Sequence, residues 1–258
     1  MHNVVKEPSA FCTFDESLTI HALAEGLTFS IENALHPLCQ LAADKLQSHL
    51  QYQEEWTHNF GLSSDAEGVI IGKMFGVLAV RTKEEELGYL AAFSGKLAGG
   101  NHHAGFVPPI FDTLAEGGFV NTGMTQLTQM SEEINALELF DPKSNAAKIH
   151  LLKNLRKHHS IALQNKIFDQ YHFLNKSGKS KSLVDIFAAT GHKKPPAGAG
   201  ECAAPKMLQY AFQHEMEPLA LAEFWWGLSP KSAHWQHGHF YAPCREKCGP
   251  ILAHMLSN

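Results

Sequence analysis

Cys202, Cys244 and Cys248 fall together in the last quarter of a 258-residue chain, with Glu201 directly before the first of them. Cys12 and Cys39 lie far upstream, and an odd total of five in a chain this long does not fit a disulfide framework, so reduced thiols or metal ligands are expected. The stretch Cys202 to Phe212 has helical spacing, Pro218 to Trp226 is an apolar strand, and Pro243 opens a last expected helix through Leu256. Cys202 and Cys244 therefore stand at two expected helix N-termini flanking one strand, and Cys248 follows Cys244 at i+4 on the same face. Helix N-termini favour thiolate, the form that binds metal. Three thiolates would hold a zinc ion with one position open, whereas three buried, inert cysteines are the competing reading. His234, His237 and His239 are candidates for a fourth ligand or a proton relay, with plain surface-loop residues as the alternative.

Positions Leu38, Leu41, Ala42, Leu46 and Leu50 recur at helical spacing and predict a helix from Pro37 to Trp56. The apolar run Lys73 to Arg81, the charged turn Lys83 to Glu86 and the run Leu87 to Phe93 read as a β-hairpin. A Gly/Pro-rich loop with His102 and His103 follows. Two helices are then expected, about Met124 to Leu139 and Asn145 to Leu174, broken at Asp141-Pro142. The run from Lys193 to Gly200, with two prolines and two glycines, marks a boundary. These signals divide the chain into an N-terminal segment (1–60), a hairpin and loop (61–123), a basic helical insertion (124–194) and a cysteine-bearing helix-strand-helix segment (195–258). The expected class is α/β or α+β.

Charge is segregated. The net charge is -5, yet Lys148 to Lys194 holds ten basic residues against Asp169 and Asp185. Clustered Lys and Arg displace counterions from a polyanion, so this segment is a candidate RNA-binding surface with Lys153, Arg156, Lys157, Lys166 and Lys176 as contacts; a solvated helix face is the alternative. No apolar run reaches the length of a membrane span and the N-terminus has no signal pattern, so a soluble, cytoplasmic protein without membrane contact is expected. Phe224-Trp225-Trp226 closes an apolar strand and reads as core before it reads as a base-stacking platform. No phosphate loop, dinucleotide-binding glycine pattern or nucleophile elbow occurs.

Two family resemblances carry expectations. The order hairpin, helix with Cys202, strand, helix with Pro243-Cys244 resembles the zinc-dependent nucleoside and nucleic-acid deaminases. That resemblance implies a deaminase-like hairpin-helix-strand-helix core, zinc held by Cys202, Cys244 and Cys248, and hydrolytic deamination of a nucleobase. Its proton-carrying glutamate would stand at position 204, where this chain has Ala204, so Glu201 becomes the candidate catalytic carboxylate; the second motif is Cys-x-x-x-Cys rather than Cys-x-x-Cys. Separately, Gly72-Lys-Met-Phe-Gly-Val-Leu-Ala-Val, Leu87-Gly-Tyr-Leu-Ala-Ala-Phe-Ser-Gly-Lys, Pro195-Pro-Ala-Gly-Ala-Gly-Glu-Cys-Ala-Ala-Pro-Lys and Ala222-Glu-Phe-Trp-Trp-Gly look like the N-terminal extension of a subset of bacterial RluA-family pseudouridine synthases. It implies an RNA-modification accessory module, with rRNA or tRNA and a synthase catalytic domain as partners, either as a fragment or as a free-standing relative. The family's catalytic Arg-Leu-Asp run is absent from this chain, so the resemblance implies no synthase activity for it.

Overall fold

The computed structural model describes residues 10–14, 18–31, 35–64, 67–191 and 194–258. Its centre is the expected hairpin. β2 (Lys73–Arg81) and β3 (Leu87–Phe93) pair antiparallel from Arg81↔Leu87 to Phe75↔Phe93. The turn is closed by Thr82 N–H donating to Glu86 O at 2.9 Å and by Glu85 at φ 65°. β6 (Glu217–Trp226) lies on the other side of β2, and two short strands, β1 (Phe11–Thr13) and β7 (Phe240–Tyr241), complete an antiparallel sheet in the order β1-β3-β2-β6-β7. β2 and β3 are almost entirely buried, as their near-continuous apolar sequences require of strands covered on both faces.

Helices cover each face. α1 (Leu18–Ala24) and α2 (Pro37–Tyr52) pack on one side. Leu38, Ala42, Leu46 and Leu50 of α2 form an i, i+4 stripe in one core cluster with Phe75, Val77, Ala79 and Phe93. α2 starts where His36 Nδ1 accepts the Leu38 N–H at 3.2 Å with Pro37 in the first turn, and it ends at Tyr52, four residues before the expected Trp56. The opposite face, with Leu78, Val80, Leu90 and Ala92, takes α6 (Ala203–Gln213) and α7 (Gly249–Met255). Gly76 makes that approach possible: a Cβ there would stand 2.7 Å from Met207 Cε and 3.0 Å from Ala203 Cβ.

Between β3 and α6 come α3 (Phe119–Phe140) and α4 (Ala146–Phe168), packed on each other across the expected break, where Asp141 Oδ1 accepts the N–H groups of Lys143 and Ser144 at 3.1 Å each. Few of their residues are buried: Val120, Leu127 and Ile134 on α3, and Ile149 and Phe168 on α4.

The second helix is shorter than its periodicity implied. Tyr171 to Leu174 leaves it, β4 (His172–Leu174) pairs with β5 (Ser180–Ser182), and α5 (Leu183–Ala188) follows. Asn175 holds the β4–β5 turn, where its Oδ1 accepts the Ser177 and Lys179 N–H groups at 3.1 and 2.8 Å and Gly178 takes φ 78°. Tyr171, Phe173, Leu183 and Phe187 then enter the second core cluster beside α6 and α7, so the later part of the basic segment belongs to the core.

The last helix also starts later than expected. Pro250 lies in its first turn, so α7 begins at Gly249 with Cys248 as N-cap, and residues 245–248 form a separate turn in which Cys248 N–H and Gly249 N–H both donate to Cys244 O. No helix among the described residues is long and apolar enough to cross a membrane. Lys193, the first residue of the expected boundary run, lies outside the described residues.

Candidate metal centre

Cys202, Cys244 and Cys248 converge: their sulfurs all lie within 4.8 Å of one another, and Cys244 Sγ is 3.3 Å from Cys248 Sγ. Tetrahedral zinc with Zn–S bonds of ~2.3 Å sets its sulfurs about 3.8 Å apart, so small side-chain rotations bring all three to the required separation. Cys202 is the N-cap of α6 and Cys248 the N-cap of α7, while Cys244 reaches the cluster from the preceding turn rather than from a helix start. Hydrogen bonds from Cys202 and then Cys248 hold the Cys244 thiol far down, at about 2. The contact with Cys244 pushes Cys202 up to about 12, and contacts with Cys202 and then Cys244 raise Cys248. The shifts oppose one another, so a divalent cation with an affinity for thiolate is what would allow all three to ionise together.

A carboxylate that sequence reasoning passed over serves this cluster. Glu223 on β6 is buried, and its Oε1 accepts the Ala204 N–H at 3.0 Å, satisfying an orphan donor of the α6 N-terminus that Cys202 does not cap. Burial raises Glu223 to about 7 against the pull of that hydrogen bond, and the Cys244 charge adds to the rise. The signal was a lone acid inside an apolar strand, at the residue paired with Gly76.

Glu201 faces elsewhere. The Tyr171 hydroxyl donates to its Oε1 at 3.2 Å, and the close fit depends on Gly200, where a Cβ would stand 2.7 Å from the Tyr171 ring and φ is 95°. Burial and the adjacent Glu201 charge both raise the Tyr171 hydroxyl. Lys206, one α6 turn beyond Cys202, is buried with its ammonium 4.5 Å from the centre of the Phe93 ring, and burial lowers it to about 8 against the attraction of Glu201. Burial also lowers Lys73, whose Nζ donates to Ser94 O at 3.2 Å.

The histidines near the cysteines in sequence do not join the cluster. His237 Nδ1 accepts the Gly227 N–H at 3.0 Å and packs on Trp226, while His234 packs against Trp235 and Tyr241. Upstream, His102 meets Asp112 at 3.2 Å and His103 meets Leu97 O at 2.8 Å. Phe224 and Trp226 are core residues, and Trp225, on the other face, stacks on Trp235 with centroids 5.3 Å apart.

The basic residues are partly committed within the protein. Lys153 pairs with Glu138 at 2.7 Å, Lys148 with Glu133 at 2.8 Å, and Arg156 donates to Ser131 Oγ at 2.7 Å. Lys166 stands 4.3 Å over the Phe119 ring. Lys157 and Lys176 are exposed, Lys157 on α4 and Lys176 in the β4–β5 turn. Comparison with known proteins adds no relative: no family model, curated protein or solved structure matches the chain.

Proposed function

We propose that this protein is an RNA-associated, zinc-binding accessory module of the RNA-modification type. The observation that carries the metal half is the meeting of Cys202 with Cys244 and Cys248, which lie on either side of β6 in sequence, at one point where α6 and α7 begin. Three sulfur donors suit zinc over magnesium or calcium, which prefer oxygen. When bound, zinc would supply Lewis acidity at its remaining position. The element order around the cluster supports the deaminase-like reading of the core, with α2 on one face of the sheet and the cysteine-bearing helices on the other.

The RNA half rests on Lys157, Lys166 and Lys176, for which the described residues supply no carboxylate within 4 Å, and on the resemblance to the pseudouridine synthase extension. In this reading rRNA or tRNA binds the basic surface while a synthase catalytic domain supplies the chemistry. Fluorescence anisotropy with single-stranded RNA across a salt series tests it. Affinity should fall with salt, and replacing Lys157 and Lys166 with glutamine should flatten the slope by roughly 0.7 per lost contact. A salt-independent or absent interaction would refute it.

A zinc-dependent hydrolase or deaminase acting on a nucleobase is the second reading, favoured by one observation: Glu223 brings a buried carboxylate beside the cysteines and against the backbone of Ala204, the residue standing where that family carries its glutamate. Mass spectrometry of RNA and DNA after incubation with zinc-loaded protein separates the two. Deamination lost in Glu223→Gln or Glu201→Gln would replace the accessory role with an enzymatic one.

A further inference from the structure

Lys206 is 3 % exposed, and among the described residues its ammonium has no hydrogen-bond acceptor and no carboxylate within 4 Å. It stands over the face of Phe93, 4.5 Å from the ring centre, which accepts no N–H in the way an oxygen does. Buried ammonium groups are ordinarily paired, because removing the charge from water without a partner is costly. The position is not a matter of a loose side chain, since Lys206 lies within α6, where Ala203, Ala204 and Met207 are all fully buried around it.

Lys206 lines a small cavity with Gly95, Gly200, Tyr171 and Glu201; its volume of about 10 Å³ has room for one oxygen-sized group. A second cation flanks it. The point where a Gly95 Cβ would stand is 3.9 Å from Lys73 Nζ and 4.0 Å from Glu201 Oε2, and Lys96 adds positive potential at Lys73. One oxygen of Glu201 already accepts the Tyr171 hydroxyl. Two ammonium groups therefore lie around one carboxylate charge without an ion pair to it within 4 Å, and Lys206, without an acceptor, lines a slot the size of one oxygen.

We infer that this slot is a binding site for a small oxyanion, phosphate or carboxylate, which places one oxygen against the Lys206 ammonium with Lys73 as the second cation. None of the three cysteines lines the slot, and the inference stands whether or not the protein binds RNA. The test is thermal unfolding and calorimetric titration with inorganic phosphate, acetate, uridine 5′-monophosphate and uridine, each against chloride at equal ionic strength so that screening is matched. At a ligand concentration of 100 Kd, at least one of the phosphate-bearing or carboxylate probes should raise Tm by roughly 5 °C, and uridine should not. Uridine monophosphate binding more tightly than phosphate assigns the site to nucleotide phosphates, and the reverse assigns it to the free anion. Lys206→Met should abolish the shift. Lys73→Gln, at a half-buried position where the amide can still donate to Ser94 O, should weaken binding by roughly tenfold or more, as loss of a charge-assisted hydrogen bond does. No shift beyond chloride with any probe, or an undiminished shift in both variants, would overturn the inference.

Discussion

Replacing Lys206 with methionine keeps the length and volume of the side chain while removing the buried charge, and it should make the protein more stable at neutral pH. Folding lowers this lysine from 10.5 to about 8, a fall of about 2.5, which at ~1.36 kcal/mol per pH unit corresponds to about 3 kcal/mol of penalty on the charged form. Loss of the contact with the Phe93 ring offsets about 1 kcal/mol of that, so a net gain of about 2 kcal/mol is expected. The sign with pH follows from proton counting. Between about 8 and 10.5 the unfolded chain holds the Lys206 proton and the folded protein has released it, so wild-type stability rises with pH across this window. The advantage of the variant is therefore full below pH 8 and fades towards 10.5. Urea unfolding of both proteins at several pH values in phosphate-free buffer measures the difference, in which other titrating groups cancel. A variant less stable than wild type at pH 7, with a difference independent of pH, would show that the ammonium already has a partner and that the reasoning is wrong.

Gly76→Ala should cost about 1–3 kcal/mol and weaken metal binding, because the added methyl pushes on Met207 and Ala203 and displaces the helix that presents Cys202; denaturant midpoints and a zinc-competition assay check both. Replacing Glu133 and Glu138 together with glutamine frees Lys148 and Lys153 and should tighten RNA binding at low salt, with little change in stability since exposed pairs contribute only ~0–1 kcal/mol. In metal-free protein, Glu223→Gln should gain stability relative to wild type as pH rises from 4.5 through about 7, since the buried carboxyl keeps its proton longer in the folded state and pays for ionisation there; parallel unfolding curves at pH 5 and 8 read the difference.

Much of the frame was legible in the residues. The strands from Lys73 and Leu87 and the strand ending at Trp226 carry long apolar runs, and the α2 stripe has unbroken helical period. The failures share a cause: side-chain chemistry at single residues overrides periodicity. Tyr171 and Phe173 leave α4 to enter the core beside a β-turn held by Asn175 where the pattern continued a helix to Leu174, and Pro250 moves the start of α7 past Cys244. The convergence of the three cysteines was readable from their places around β6, but the role of Glu223 was not, since its partner is a backbone N–H nineteen residues away in sequence. Glu201 drew attention through its adjacency to Cys202, and adjacency at a helix cap says little about direction: its carboxylate meets Tyr171, from a segment thirty residues upstream. The basic segment was countable from the sequence; the neutralisation of Lys148 and Lys153 was not, because Glu133 and Glu138 belong to the preceding helix and face them only once α3 and α4 pack.

Metal content after purification without added metal is the most direct measure of the centre formed by Cys202, Cys244 and Cys248. Elemental analysis should find about one zinc per chain, replaceable by cobalt with a thiolate-to-cobalt charge-transfer band, and both should disappear in Cys202→Ser and Cys248→Ser. Folded protein that holds no zinc, acquires none from a zinc buffer and gives no such band with cobalt would contradict the account.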